Sequence, residues 1–188
     1  ETPAPEVFTV AEARALLTKA QANDPRMVPY YAVGLFAGLR TENELAGLDW
    51  RMIDLAGRTI EVTAASAKKR RARTVEISDN LALWLAPHRQ DAGPIFFSRR
   101  AHRKIISKAD NDKALRWPRN VMRHSFASYH LAAYKDAGRT ALQLGHPHGV
   151  EILFNHYRRM VKEAAAKEFW QIGPSVAGKV IQLNVANA

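Results

Sequence analysis

Arg58-Thr-Ile-Glu-Val-Thr63 and Arg73-Thr-Val-Glu-Ile-Ser78 alternate apolar and polar residues, the pattern of strands with one buried face. Between them lies the basic run Lys68-Lys-Arg-Arg71. Together they predict an antiparallel hairpin, part of a small sheet whose third strand the pattern does not place. On both sides of the hairpin the period becomes helical. Upstream, Thr9-Val-Ala-Glu12 has capping-box spacing ahead of alanines and leucines at helical intervals, which predicts a helix over 10–22. Pro29 suits the first turn of a second, nearly all-apolar helix that stops at Gly38-Leu39-Arg40. Thr41-Glu-Asn-Glu44 repeats the capping-box spacing and predicts a short helix to about Leu48. Downstream, helical periodicity covers roughly 79–86, 99–108, 119–134, 137–144, 149–156 and 161–170, with breaks at Gly93-Pro94 and Asp110–Lys113. After Gly173-Pro174, the strand-like Lys179–Val185 is expected either to pair with another molecule or to fold back on its own sheet. The expected class is mainly α with a small antiparallel β-sheet, that is, α+β.

Composition narrows what such a fold does. The 188 residues fit one ordinary domain, and 47% apolar residues are enough for a real core. With no cysteine, disulfide scaffolds, zinc ribbons, iron–sulfur clusters and cysteine nucleophiles are excluded. The longest apolar stretch, Met27–Leu39, has 13 residues, too few to span a bilayer, and no signal peptide is evident. The chain starts at Glu1 and is expected to be a domain of a longer protein, with no membrane partner. Lys and Arg number 28 against 18 acids, a net charge of +10, which favours a polyanionic partner. There is no phosphate-binding glycine loop, GxSxG elbow or HExxH, and His146 and His148 lack metal-ligand companions; no metal and no cofactor is expected.

Polar residues stand out inside apolar helical sequence. Ala37-Gly-Leu-Arg40 ends an apolar helix with a guanidinium, and Asn120-Val-Met-Arg123-His124-Ser-Phe-Ala127 puts three polar groups where a core helix should be apolar. A buried arginine needs an anion or a partner. Leu142-Gln-Leu-Gly-His146 and Phe154-Asn-His-Tyr157-Arg-Arg159 follow. In this order, with the basic hairpin, these motifs resemble the catalytic domain of the tyrosine site-specific recombinases, the phage-integrase family, over about residues 10–172.

The resemblance implies strand cleavage by tyrosine attack on a DNA phosphodiester, giving a 3′-phosphotyrosine and a 5′-hydroxyl without metal. It makes Tyr157 the nucleophile, Arg40 and Arg123 the phosphate-binding guanidiniums, and His146 a hydrogen-bond donor to the scissile phosphate. It makes Lys68 the general acid, with Lys69 as competitor. Lys69, Arg70, Arg71, Arg73 and Arg158 are expected to contact DNA. Asn120 stands where the family usually has histidine; it donates a hydrogen bond but cannot shuttle a proton, and it is equally explained as a helix cap. Deprotonation of the tyrosine would then need other help, such as a lowered pKa beside two arginines. The acid position lies one residue farther from Arg40 than usual, which points to Glu44 with Glu42 as alternative. Glu44 is also explained as a capping-box acid, and His124 is expected to be a structural or supporting residue.

The partner implied is double-stranded DNA, held by a tetramer on paired sites that is a monomer alone. Residues 1–172 form the catalytic domain, 173–188 are a tail suited to exchange between protomers, and the family's N-terminal core-binding domain lies outside this chain. The resemblance points to an integrase of a mobile element or prophage, expected to be cytoplasmic and nucleoid-associated. Two other functions compete: a DNA-binding module whose catalysis has decayed, and a type IB topoisomerase-like relaxation of DNA.

Overall fold

The computed structural model describes residues 5–64, 72–107, 115–145, 150, 153, 157, 161–176 and 179–180. The expected mix of helices and one small sheet is what is found. The thread begins at α1 (Val10–Asn23), where Thr9 and Glu12 form the capping box: the Glu12 amide donates to Thr9 Oγ1 at 3.2 Å and the Thr9 amide to Glu12 Oε2 at 2.7 Å. Next comes α2 (Val28–Phe36), buried all round, with Pro29 in its first turn.

The three-stranded antiparallel sheet has the order β1 (Ile53–Asp54), β2 (Thr59–Val62), β3 (Arg73–Glu76). β2 and β3 are the expected hairpin, with Ile60 opposite Val75 and Val62 opposite Arg73. β1 is the strand that alternation could not reveal, because two residues are too short to show a period. Helices α3 (Asp79–Leu85), α4 (Arg99–Ser107), α5 (Val121–Tyr134), α6 (Ala137–Leu144) and α7 (Glu163–Trp170) follow at the anticipated places. Residues 150, 153 and 157 are helical as well. In the tail, β4 (Ser175–Val176) pairs antiparallel with β5 (Lys179–Val180) in a separate two-stranded sheet, so the start of the strand-like segment pairs locally and not with the sheet β1–β3. Among the described residues no helix is long and apolar enough to cross a membrane.

α2 and α5 both lie in the core. α5 packs on α2 and α7, with the Tyr129 and Phe169 rings stacked at 3.9 Å and Phe36 against Phe169 at 5.1 Å. Buried polar groups on α5 tie down the segment leading into α1: the Phe8 amide donates to Ser125 Oγ, and Tyr129 Oη donates to the Phe8 carbonyl. Burying these groups without partners would cost free energy, so the pairing fixes where the N-terminal segment crosses the helix.

One expectation is corrected. Thr41–Glu44 forms no capping box; Thr41–Leu45 is a π-turn in which the amides of Glu44 and Leu45 both donate to the Arg40 carbonyl. The Glu44 carboxylate does reach back, but to the Arg40 amide and from inside the protein, where Glu44 is 2% exposed.

Candidate active site

Burying a carboxylate requires cations, and three arginines from three parts of the chain supply them. Arg73 Nη1 and Nη2 donate to the two Glu44 oxygens at 2.9 Å each, a bidentate fork. Arg40 Nη1 donates to Glu44 Oε1 at 2.6 Å, and Arg123 Nη1 lies 3.9 Å from Oε2. Burial pushes the Glu44 carboxyl up, but the Arg73 fork, the Arg40 amide and the remaining positive charge outweigh it and bring it down to about 2. The cluster therefore holds three positive charges against one negative.

Arg123 is the deepest of the three arginines, 6% exposed. Its Nη1 donates to the Gly38 carbonyl at 2.7 Å and its Nη2 to the Leu144 carbonyl at 2.6 Å, while Arg73 Nε donates to the Gln143 carbonyl at 3.0 Å. The last carbonyls of α6 have no partner within the helix, and that end of the helix carries partial negative charge; the two guanidiniums meet both needs. α6 ends there because Gly145 turns left-handed (φ +66°), and the Arg73 side chain lies 3.1 Å from where a Cβ would stand. Burial and the neighbouring Arg40 push the Arg123 pKa down to about 9, still well above neutrality, so the charge remains and favours an incoming anion.

Gly38, whose carbonyl accepts from Arg123, is likewise a left-handed position. It sits at φ +64°, and a Cβ there would come within 2.4 Å of Phe126 Cδ1. Gly38→Ala is expected to destabilise the fold by about 2–4 kcal/mol, combining left-handed strain with overpacking. Urea unfolding measures it, and a change below about 1 kcal/mol would show that the backbone under Arg123 shifts freely.

Tyr157 stands beside the cluster, within electrostatic reach of Arg123. His124 Nδ1 lies 2.6 Å from the Tyr157 hydroxyl, and the two rings stack at 5.9 Å. Burial raises the phenol's pKa and Arg123 only opposes this, so the two arginines do not lower it below its ordinary value as the sequence suggested. Asn120 occupies the N-cap position of α5 in a left-handed conformation (φ +56°), but its side chain makes no capping hydrogen bond.

The structure thus brings together Arg40, Glu44, Arg123, His124 and Tyr157 from the sequence reading. Of the two acids considered, Glu44 meets the arginines of the cluster, whereas Glu42 faces Arg119 at the surface. Arg73, expected at the DNA surface, is an interior partner of Glu44 with 11% of its side chain exposed. Lys68, Lys69, Arg70, Arg71, His146 and Arg158 lie outside the described residues. Among the described residues no group of three or more His, Asp or Glu could hold a metal ion.

α4 adds a basic surface. Ala101 and Ile105 anchor it, and Arg99, Arg100, Arg103 and Lys104 face solvent. Arg99 and Arg103 line a cleft of about 550 Å³ with Thr41 and Glu42, next to Arg40 in the chain.

This fold, a helical domain with a three-stranded sheet, is that of the tyrosine recombinase and integrase catalytic domains. Among solved structures, the chain is similar to XerA recombinase, with a TM-score of 0.66, 23% identity and coverage of 90% of this chain. It spans 65% of the length of that structure. It is also similar to the catalytic domain of bacteriophage HP1 integrase, with a TM-score of 0.59, 19% identity and coverage of 81% of this chain and 87% of the other. At these identities the likeness is one of fold. No protein-family model matches the sequence, and no curated protein matches it.

Proposed function

We propose that this chain is the catalytic domain of a site-specific DNA recombinase that cuts and rejoins DNA through a 3′-phosphotyrosine. The observation that carries the reading is the meeting of Arg40, Arg73 and Arg123 on the single carboxylate of Glu44, with the Tyr157 hydroxyl alongside. Attack on a phosphodiester adds negative charge to the phosphoryl oxygens in the transition state. Guanidiniums fixed beforehand by carbonyls and a carboxylate stabilise that charge without reorganising. Tyr157 supplies the oxygen that becomes linked to phosphorus; Lys68 or Lys69 protonates the leaving 5′-oxygen, and His146 donates to the phosphate. Asn120 serves as a hydrogen-bond donor at the edge of the site.

The test is covalent trapping. The protein is incubated with a pool of randomised duplexes carrying a nick, so that a short fragment diffuses away after cleavage and the adduct persists. A denaturing gel detects the adduct, and peptide mass spectrometry locates it. The expected result is a DNA adduct on Tyr157; DNA binding with no adduct would favour the decayed module, and relaxation of supercoils irrespective of sequence the topoisomerase.

The same reading places duplex DNA against α4. Replacing Arg99, Arg100, Arg103 and Lys104 together by glutamine is expected to make the slope of log K against log salt shallower by about 3 to 4, since each lost phosphate contact removes roughly 0.9. An unchanged slope in a binding titration would remove α4 from the interface.

A further inference from the structure

Tyr157 needs a base. Burial raises its phenol pKa, so at neutral pH the hydroxyl keeps its proton, and a protonated phenol is a poor nucleophile. Of the side chains that act on it, Arg123 cannot accept a proton, whereas His124 can. Asn120 has no basic nitrogen and cannot take the proton either. His124 has both the chemistry and the position: its Nδ1 is 2.6 Å from the phenol oxygen, and ring stacking, with 29° between the planes, limits rotation of the imidazole. It also rides on α5 directly after Arg123, so one helix positions both the phosphate clamp and the base.

We infer that His124 is the proton acceptor for the Tyr157 nucleophile, an inference that rests on the proposed strand cleavage. In the forward step the Tyr157 O–H bond breaks and its proton moves to His124 Nδ1, forming an imidazolium. The phenol oxygen bonds to phosphorus as the bond from phosphorus to the 5′-oxygen breaks. That 5′-oxygen takes a proton from a separate general acid, the role assigned above to Lys68 or Lys69. Phosphorus remains a diester throughout, nothing is oxidised or reduced, and religation returns the proton from Nδ1 to the phenol. In the resting state this requires the tautomer with hydrogen on Nε2, so that Nδ1 accepts. His124 touches the reacting atom and is on this account a catalytic residue rather than a structural one.

The experiment uses the duplex recovered from the trapped adduct, in two forms: with the native 5′-oxygen, and with sulfur in its place as a leaving group that needs no proton. Single-turnover cleavage by His124→Gln, which keeps a hydrogen-bonding amide, is expected to fall about 10²–10³-fold on both substrates. His124→Ala is expected to lose as much, and to regain activity as free imidazole is added. Three results would overturn the inference: a His124→Gln rate within about threefold of wild type, a defect cured by the sulfur substrate, or no response to imidazole from a folded His124→Ala. The sulfur cure would make His124 a leaving-group acid instead. Failure of the wild-type protein to form any adduct would remove the strand-cleavage reading itself, and this inference with it.

Discussion

Glu44→Ala should lower folding stability by about 3–5 kcal/mol, since removing one member of a buried ion cluster leaves its partners uncompensated. The carboxylate is 2% exposed and receives Arg73 on both oxygens and Arg40 on one, with Arg123 close by. Without it, three guanidiniums repel one another in the interior. Urea unfolding of wild type and variant at neutral pH measures the difference, and a loss below about 1 kcal/mol would show that the arginines are held by the backbone carbonyls alone. The pH dependence provides a second check. The folded-state pKa, about 2, lies below the ordinary 4.5, so the stabilisation is complete above about 4.5 and is lost as pH falls towards 2. That shift corresponds to about 3 kcal/mol, and the gap between wild type and Glu44→Ala should close across this window.

Arg123→Lys should reduce single-turnover cleavage by about 10²–10³-fold while leaving DNA affinity nearly unchanged. The guanidinium spans from the Gly38 carbonyl to the Leu144 carbonyl, so its plane is fixed before any phosphate arrives. A lysine keeps the charge but ends in a single nitrogen, which cannot bridge both carbonyls and present a flat fork to two phosphoryl oxygens. Long-range attraction for DNA survives, and the transition-state contact does not. Adduct formation and a binding titration on the same duplex separate the two, and a cleavage rate within about tenfold of wild type would show that charge at this position is enough.

The helices and the hairpin were legible because their apolar faces repeat over several turns or strand pairs. The site was legible only in part. Arg40 and Arg123 stood out as cations in otherwise apolar sequence; Arg123 is buried within its helix, and Arg40 is half-buried just beyond the end of α2. Arg73 was grouped with the basic run it adjoins, but the strand's own period gives a different answer: Arg73 shares a face with Val75 and Ile77, both buried. Counting in twos along β3 would have turned it inward. The short π-turn and the two-residue β1 show no period at all. The His124–Tyr157 contact joins residues 33 apart, and no local pattern encodes such a meeting.

The wide turn at Thr41–Leu45 bears on how the site can be compared with others. A π-turn is the shape a helical turn takes when one more residue is threaded through it, and such turns are frequent at functional positions. Against the spacing that the sequence resemblance implies, Glu44 lies one residue farther along the chain, and Arg40 and Glu44 meet at 2.6 Å across the turn. A π-turn takes one extra residue into the backbone. Sequence spacing is therefore a poor ruler across this segment: a residue gained along the chain adds no distance within the site.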